Sequence, residues 1–314
     1  MSPVVRIGTR ASRLARTQSG WVQRRVAAAL GAPPEAAEEV APLVLITTDG
    51  DRIQDRRLIE LGGKALFTKE IEQALLDGRV DLAVHSMKDL PADMPDGLVL
   101  AAVPEREDAR DAFVSVDHAR FDDLPQGARL GTASLRRQAQ ALRRRPDLQV
   151  QLLRGNVDTR LAKLRAGEVD AALLACAGLN RMGLSGEIRE ALDPHAAPPA
   201  PGQGALALQT RAEDAGADWL RALHHRPTEL AVSAERGALE ALEGNCRTAI
   251  GAWATLDDAG CMTLVIEALS PGGTDAWRRT GRLETPDVAT ARDMGLRLGR
   301  EIAEEAGDAI RLGG

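Results

Sequence analysis

The chain has 314 residues, 44% of them hydrophobic, and a formal net charge of −6 at pH 7, which suits two or three domains with real cores. The acidic balance, an aromatic content of 2% and the absence of Tyr argue against a generic polyanion binder or a nucleic-acid protein that reads bases by stacking. No apolar run nears the roughly 18 residues of a membrane span, the start M-S-P-V-V-R-I-G-T-R lacks a signal-peptide core, and three cysteines without C-x-x-C and five histidines without metal spacing argue against a disulfide framework and a metal site, so we expect a cytoplasmic protein with no metal and no membrane partner.

R-I-G-T-R-A-S-R-L, starting at Arg6, predicts a strand that runs through Gly-Thr into a helix with Ser12 near its N-cap. Exposed backbone N–H groups at such a start favour anions, which marks Arg10 and Ser12. A helix is predicted from Thr68 to Gly78, with an apolar face of Ile71, Ala74, Leu75 and Leu76. The run V-D-L-A-V-H-S-M-K-D-L-P, from Val80 to Pro91, reads as a buried strand ending in a polar turn that carries Lys88 and Asp89. In open α/β sheets ligands bind outside the carboxyl ends of strands. An ammonium and a carboxylate there suit an anion and a proton or cation, although turns carry solvated Lys–Asp pairs as well.

The pattern then repeats. R-L-G-T-A-S-L-R-R at Arg129 echoes the first strand-to-helix start and marks Thr132, Ser134, Arg136 and Arg137. In Q-L-L-R-G-N-V-D-T-R, Arg154 ends another predicted strand and Arg160 lies one turn into a helix from Val157 to Gly167. G-E-V-D-A-A at Gly167 aligns with G-R-V-D-L-A at Gly78; Cys176 is expected inside the strand that follows, with Arg181 after it. Two similar lobes facing a cleft lined with anion sites are the expectation, and the planar guanidinium fork suits carboxylate or phosphate oxygens.

From His195, H-A-A-P-P-A-P-G-Q-G-A-L-A-L-Q-T-R reads as a crossing segment that enters a strand returning to the first lobe. Gly202, Gly204 and Ala207 fit G-x-G-x-x-A, but with no strand before and no helix after they do not make a dinucleotide site. Beyond Trp219 a helix, a hairpin turning at D-D-A-G and a closing helix from Val288 to Glu305 predict a small α+β domain. Cys246, in E-G-N-C-R-T beside Arg247, differs from Cys176 and Cys261, since a neighbouring cation favours its thiolate.

Together these stretches resemble the porphobilinogen deaminase (hydroxymethylbilane synthase) family. R-I-G-T-R-A-S, L-G-G-K-A-L-F, V-H-S-M-K-D-L-P, G-T-A-S-L-R-R-Q, R-G-N-V-D-T-R-L, G-Q-G-A and the loop around Cys246 occur in the family's order. H-S-M-K-D and S-L-R-R-Q are highly specific. The resemblance implies an α/β protein with two similar lobes like type II periplasmic binding proteins plus a small C-terminal α+β domain. The limits expected are 1–104 with 199–220 for the first lobe, 105–198 for the second and 221–314 for the domain carrying Cys246.

The resemblance also implies a dipyrromethane cofactor, bonded as a thioether to Cys246. Four porphobilinogens are joined to it head to tail, four ammonia molecules leave, and water releases linear hydroxymethylbilane; the family member is expected to be a monomer. Six rings with two acids each bring twelve carboxylates, so an acidic protein must concentrate its bases locally. Asp89 is implied as the catalytic carboxylate. Lys88, Ser86, Thr132, Ser134, Arg136, Arg137 and Arg160 are implied to hold the cofactor. Arg10, Ser12, Arg154, Arg181 and Gln18 are implied to hold substrate. Lys64 and Phe67 join the substrate set from the segment Arg56 to Phe67, where Gly62 and Gly63 suit a mobile lid.

Three positions depart from the family pattern: Glu60 stands where a lysine is frequent, Asn245 replaces a glycine before the cysteine, and Pro201 alters the approach to G-Q-G. The rival reading is a non-enzymatic bilobal small-anion binder, which needs neither Asp89 nor Cys246.

Overall fold

The computed structural model describes residues 4–52, 67–91, 93–242 and 248–310. In chain order the first part comprises β1 (Ile7–Thr9), α1 (Arg13–Ala29), α2 (Ala37–Val40), β2 (Leu43–Leu45), α3 (Asp49–Arg52), α4 (Lys69–Leu76), β3 (Leu82–Ser86) and β4 (Leu98–Ala102). Next come β5 (Asp111–Ser115), β6 (Arg129–Thr132), α5 (Leu135–Arg144), β7 (Gln149–Leu152), α6 (Val157–Arg165), β8 (Ala171–Ala175), α7 (Cys176–Arg181) and β9 (Glu190–Ala191). The rest is β10 (Leu206–Arg211), α8 (Asp218–Arg221), α9 (Arg226–Ala241), β11 (Ala249–Leu256), β12 (Met262–Leu269), β13 (Ala276–Leu283) and α10 (Val288–Ala306).

The described residues of Met1–Asp55, Lys64–Glu107 and Ala205–Glu229 form one compact unit, and those of Asp108–Gly204 and Leu230–Gly314 form another. The first holds a five-stranded sheet in the order β2-β1-β3-β10-β4. In it β1 runs parallel to β2 and β3, and β10 is antiparallel to both β3 and β4. The second unit contains a sheet in the order β7-β6-β8-β5-β9 with the same strand senses. Gly8 pairs with Ala83 and Gly131 with Ala172, so the two Gly-Thr motifs occupy the same place in matching sheets.

Both faces of each sheet are covered, which is why the strands read as continuous apolar runs rather than alternating ones. Val22, Val26 and Ala27 of α1 pack with Ile7, Leu82 and Val84 on one face of the first sheet. Ile71, Ala74 and Leu75 of α4 pack with Val80 and Ala83 on the other. Each such valine or leucine contributes about 1.5–3 kcal/mol by leaving water. A Cβ on Gly131 would meet the Leu153 side chain at 2.7 Å, and one on Gly8 would meet Val80 at 3.2 Å. Glycine in both motifs lets the covering side chains close onto the sheet.

The second unit also contains an antiparallel sheet in the order β11-β12-β13, covered by α9 and α10 through Leu230, Ala234, Ala238, Met294, Leu298 and Ile302. Helix α5 packs against this sheet, with Ala139 buried beside Ala249 and Leu269. One sequence expectation needs correction: Cys176 is not in a strand. Strand β8 ends at Ala175, and the small residues of C-A-G-L-N-R turn into α7, so Arg181 ends a helix.

Among the described residues no helix is long and apolar enough to cross a membrane. No group of three or more His, Cys, Asp or Glu among them could hold a metal ion.

Candidate active site

In the first unit the candidate residues gather at the carboxyl ends of β1 and β3. Ser12 caps α1 by accepting the Ala15 N–H at 3.3 Å, and the first turn of that helix carries no acid. The Arg10 guanidinium lies 4.1 Å from the centre of the Phe67 ring. Strand β3 runs into a 3-10 turn, Met87–Asp89, held by Met87 N–H to the Ala205 carbonyl at 3.0 Å. Met87 and Leu90 are buried on either side, which leaves Lys88 and Asp89 exposed on the outer face. Gln18 and Ser86, 68 residues apart, meet there: the Gln18 amide donates to Ser86 Oγ at 3.1 Å. By the matching register, Ala177 and Gly178 of the second unit stand where Lys88 and Asp89 stand in the first, so the ammonium–carboxylate pair belongs to the first unit.

His85, which the sequence reading passed over, sits behind this turn. It is buried and bonded through Nε2 to Gln209 Oε1 at 3.0 Å. The Gln209 amide nitrogen donates to Glu72 Oε1 at 3.1 Å, which turns its oxygen toward the imidazole and puts the ring proton on Nε2. Burial pushes the His85 imidazole down to about 4, with Gln209 opposing and the Arg10 charge reinforcing. A polar residue inside an apolar strand was the signal available for it.

In the second unit the candidates lie at the carboxyl ends of β6, β7 and β8. Thr132 is buried and accepts the Ser134 N–H at 3.1 Å, and Ser134 caps α5 by accepting the Arg137 N–H at 3.4 Å. Arg136 and Arg137, expected at a ligand, are both buried and converge on Asp111 at 2.6 and 2.8 Å. Burial pushes the Asp111 carboxyl up, but the two guanidiniums outweigh it and hold it well below the usual carboxylate range. Asp111 carries one local signal in the sequence, a lone acid heading the apolar strand D-A-F-V, and is not among the residues expected at the site. Arg160 donates through Nε to the Gly155 carbonyl at 2.8 Å, and Arg181 through Nη2 to the Gly204 carbonyl at 2.7 Å. Cys176 is buried, which pushes its thiol up to about 12 and leaves it unreactive.

Two donors stand out. Arg136 Nε and Arg154 Nη1 are buried and have no hydrogen-bond partner among the described residues. A buried, unpaired donor costs about 1–3 kcal/mol, so both nitrogens suit an acceptor brought by a ligand. Cys246, Lys64, Glu60 and Asn245 lie outside the described residues.

Residues 5–218 match the model "Porphobilinogen deaminase, dipyromethane cofactor binding domain", and residues 229–304 match "Porphobilinogen deaminase, C-terminal domain". The porphobilinogen deaminase of Phenylobacterium zucineum is 62% identical over 317 residues, covering 99% of this chain and 99% of the relative. The chain belongs to the porphobilinogen deaminase family. The porphobilinogen deaminase of Caulobacter vibrioides is also 62% identical over 317 residues, covering 99% of this chain and 98% of the relative. Among solved structures, a periplasmic substrate-binding protein of an ABC transporter from Coxiella burnetii is similar at 17% identity with a TM-score of 0.42, covering 74% of this chain and 97% of the other. The BvgS VFT2 domain of Bordetella pertussis is similar at 18% identity with a TM-score of 0.40, covering 70% and 85%.

Dipyrromethane is the cofactor of the porphobilinogen deaminase domain to which residues 5–218 correspond. The residues present fit it. Its acetate and propionate groups are acceptors, and Arg136 Nε and Arg154 Nη1 are buried donors lacking one. In the same unit the helix start at Ser134 adds backbone N–H groups with no first-turn acid to repel an anion.

Proposed function

We propose that this chain is a transferase that joins four porphobilinogens head to tail, releasing an ammonia at each addition and linear hydroxymethylbilane on final hydrolysis. The observation that carries the reading is the exposed Lys88–Asp89 turn at the end of buried strand β3, inside a domain of this family. When bound, the dipyrromethane supplies the pyrrole carbon to which the first substrate is added.

The protein's own residues do the rest. When ammonia leaves an aminomethylpyrrole the ring is left positively charged. Asp89 is a fixed carboxylate for that charge, and it takes up the ring proton expelled as the new carbon–carbon bond forms. Lys88 holds a carboxylate by charge rather than by a Schiff base. Arg10, Ser12, Arg154 and Arg181 hold substrate acids, with Gln18, Lys64 and Phe67 beside them. Thr132, Ser134, Arg136, Arg137, Arg160 and Ser86 hold the cofactor. A thioether to Cys246 keeps intermediates from diffusing away, so elongation is processive. The proposal includes a cytoplasmic monomer, with lobes of residues 1–104 with 199–220 and 105–198, and a C-terminal domain of residues 221–314.

Intact mass of the denatured protein tests the attachment. The expected result is a mass excess of two pyrrole units on the native chain and none on Cys246→Ser. An adduct that persists on Cys246→Ser, or bilane production by that variant at the native rate, overturns it.

A further inference from the structure

The G-Q-G motif just before β10 has no role in the reaction as assigned above. Its geometry is specific. Gly202 and Gly204 have φ of 73° and 87°, a backbone region that favours glycine, and between them Gln203 is buried. The left-handed residues on either side let the chain reverse around the Gln203 side chain while their own backbones are anchored. Gly202 N–H donates to Glu235 at 2.7 Å, and the Gly204 carbonyl receives Arg181 at 2.7 Å.

The Gln203 amide is used on both ends. Its Nε2 donates to the Ala109 carbonyl at 2.7 Å and to Asp111 Oδ1 at 2.8 Å, and its Oε1 accepts from Arg137 Nη2 at 3.2 Å. Arg137 reaches the same Asp111 Oδ1 through Nε at 3.0 Å and Nη2 at 2.8 Å, and its Nη1 donates to the Leu173 carbonyl at 3.0 Å. Asp111 Oδ2 takes Arg136 Nη1 at 2.6 Å, while Arg136 Nη2 donates to Oδ1 at 3.2 Å; Nη1 also bonds Gln140 Oε1 at 2.8 Å and the Pro198 carbonyl at 3.1 Å.

One carboxylate shared by two guanidiniums can be divided in more than one way. An amide that bonds both Asp111 Oδ1 and Arg137 narrows the choice: Arg137 is pinned to Oδ1 alone, Oδ2 is left to Arg136 Nη1, and Arg136 Nη2 makes only the longer bond to Oδ1. With Arg136 held by its Nη nitrogens, its Nε is the buried donor left without a partner among the described residues. We infer that Gln203 is a positioning residue, which pins Arg137 to Asp111 Oδ1, leaves Oδ2 to Arg136 and thereby presents Arg136 Nε to a carboxylate of the dipyrromethane. This rests on the reading that Arg136 and Arg137 hold the cofactor.

A cofactor that binds only the folded protein raises its unfolding temperature, so the readout is the difference in thermal midpoint between cofactor-loaded protein and the Cys246→Ser chain, each checked by intact mass. The variants are Gln203→Glu, which keeps shape and acceptor but loses the amide N–H donors, and Gln203→Met, which loses donor and acceptor alike. The expected result is loss of at least half of the cofactor-dependent rise in both. Equal lowering of loaded and Cys246→Ser forms, with the rise intact, overturns the inference and assigns Gln203 to the fold alone, as does failure of both variants to fold in either form. Arg136→Lys, which deletes Nε, separates the two failures. If it preserves the rise, the cofactor reading of Arg136 is wrong. If it removes the rise while the Gln203 variants keep it, only the positioning role is wrong.

Discussion

Arg6 and Asp81 fasten the start of β1 to the start of β3. Asp81 accepts the Arg6 backbone N–H at 2.9 Å and its Nε and Nη2 at 2.8 and 2.7 Å, and the Asp81 N–H returns to the Arg6 carbonyl at 2.8 Å. Arg129 and Asp170 repeat the clasp between β6 and β8, at 2.7, 3.2, 2.6 and 2.9 Å. Both guanidiniums are about 40% exposed, so the ion pairs themselves contribute little. The backbone N–H left without its acceptor is the larger loss. Asp81→Ala and Asp170→Ala are each expected to cost about 1–2 kcal/mol. Asp81 should cost more, because Arg211 Nη2 also donates to it at 3.3 Å. Urea unfolding of the two variants checks the magnitude and the ranking, and no loss in either would refute the clasp's role.

His85 makes stability depend on pH in a defined window. Its folded value, about 4, lies below the roughly 6.5 of an unfolded histidine. The unfolded chain therefore takes a proton first as pH falls. The His85 contribution is complete above about pH 6.5 and is lost toward pH 4, by about 3 kcal/mol in all. Asp111, held below the usual carboxylate range, acts lower: its contribution is present above about pH 4 and is lost as pH falls further. His85→Gln keeps a donor for Gln209 and should flatten the upper window while leaving the lower one. Unfolding free energies measured from pH 7 to pH 3 test this, and an unchanged upper slope in His85→Gln would contradict it.

Asp89→Asn keeps the size of the side chain and removes its charge. Turnover of porphobilinogen should fall by about a hundredfold to a thousandfold, the loss of about 3–4 kcal/mol of transition-state stabilisation. Intact mass should still show the adduct, since attachment is assigned to Cys246. Rates within a few fold of the native chain would remove Asp89 from the chemistry.

The lobes were legible because each is built from short-range signals. The Gly-Thr strand ends, the Ser12 and Ser134 caps and the V-D strand starts all lie within a few residues of what they organise. The return of β10 to the first sheet was legible from the apolar run after G-Q-G. The polar contacts beneath the site were not. Asp111 meets Arg136 and Arg137 across 25 and 26 residues, Gln203 meets Asp111 across 92, and His85 meets Gln209 across 124. No local pattern encodes such pairs. Cys176 was misplaced because A-A-L-L-A-C-A-G suits strand and helix alike, and the boundary depends on where β8 runs out of neighbours.

The placement of β10 between β3 and β4 sets an order of assembly on the ribosome. The second lobe's sheet is drawn from one continuous stretch, and its counterpart strand β5 is translated before the strands it joins. The first lobe emerges earlier yet lacks a central strand until residue 211 has been made. Domains generally acquire structure as they emerge, so the later-born sheet is completed first, and nascent β3 and β4 keep unpaired edges until the chain comes back to bridge them.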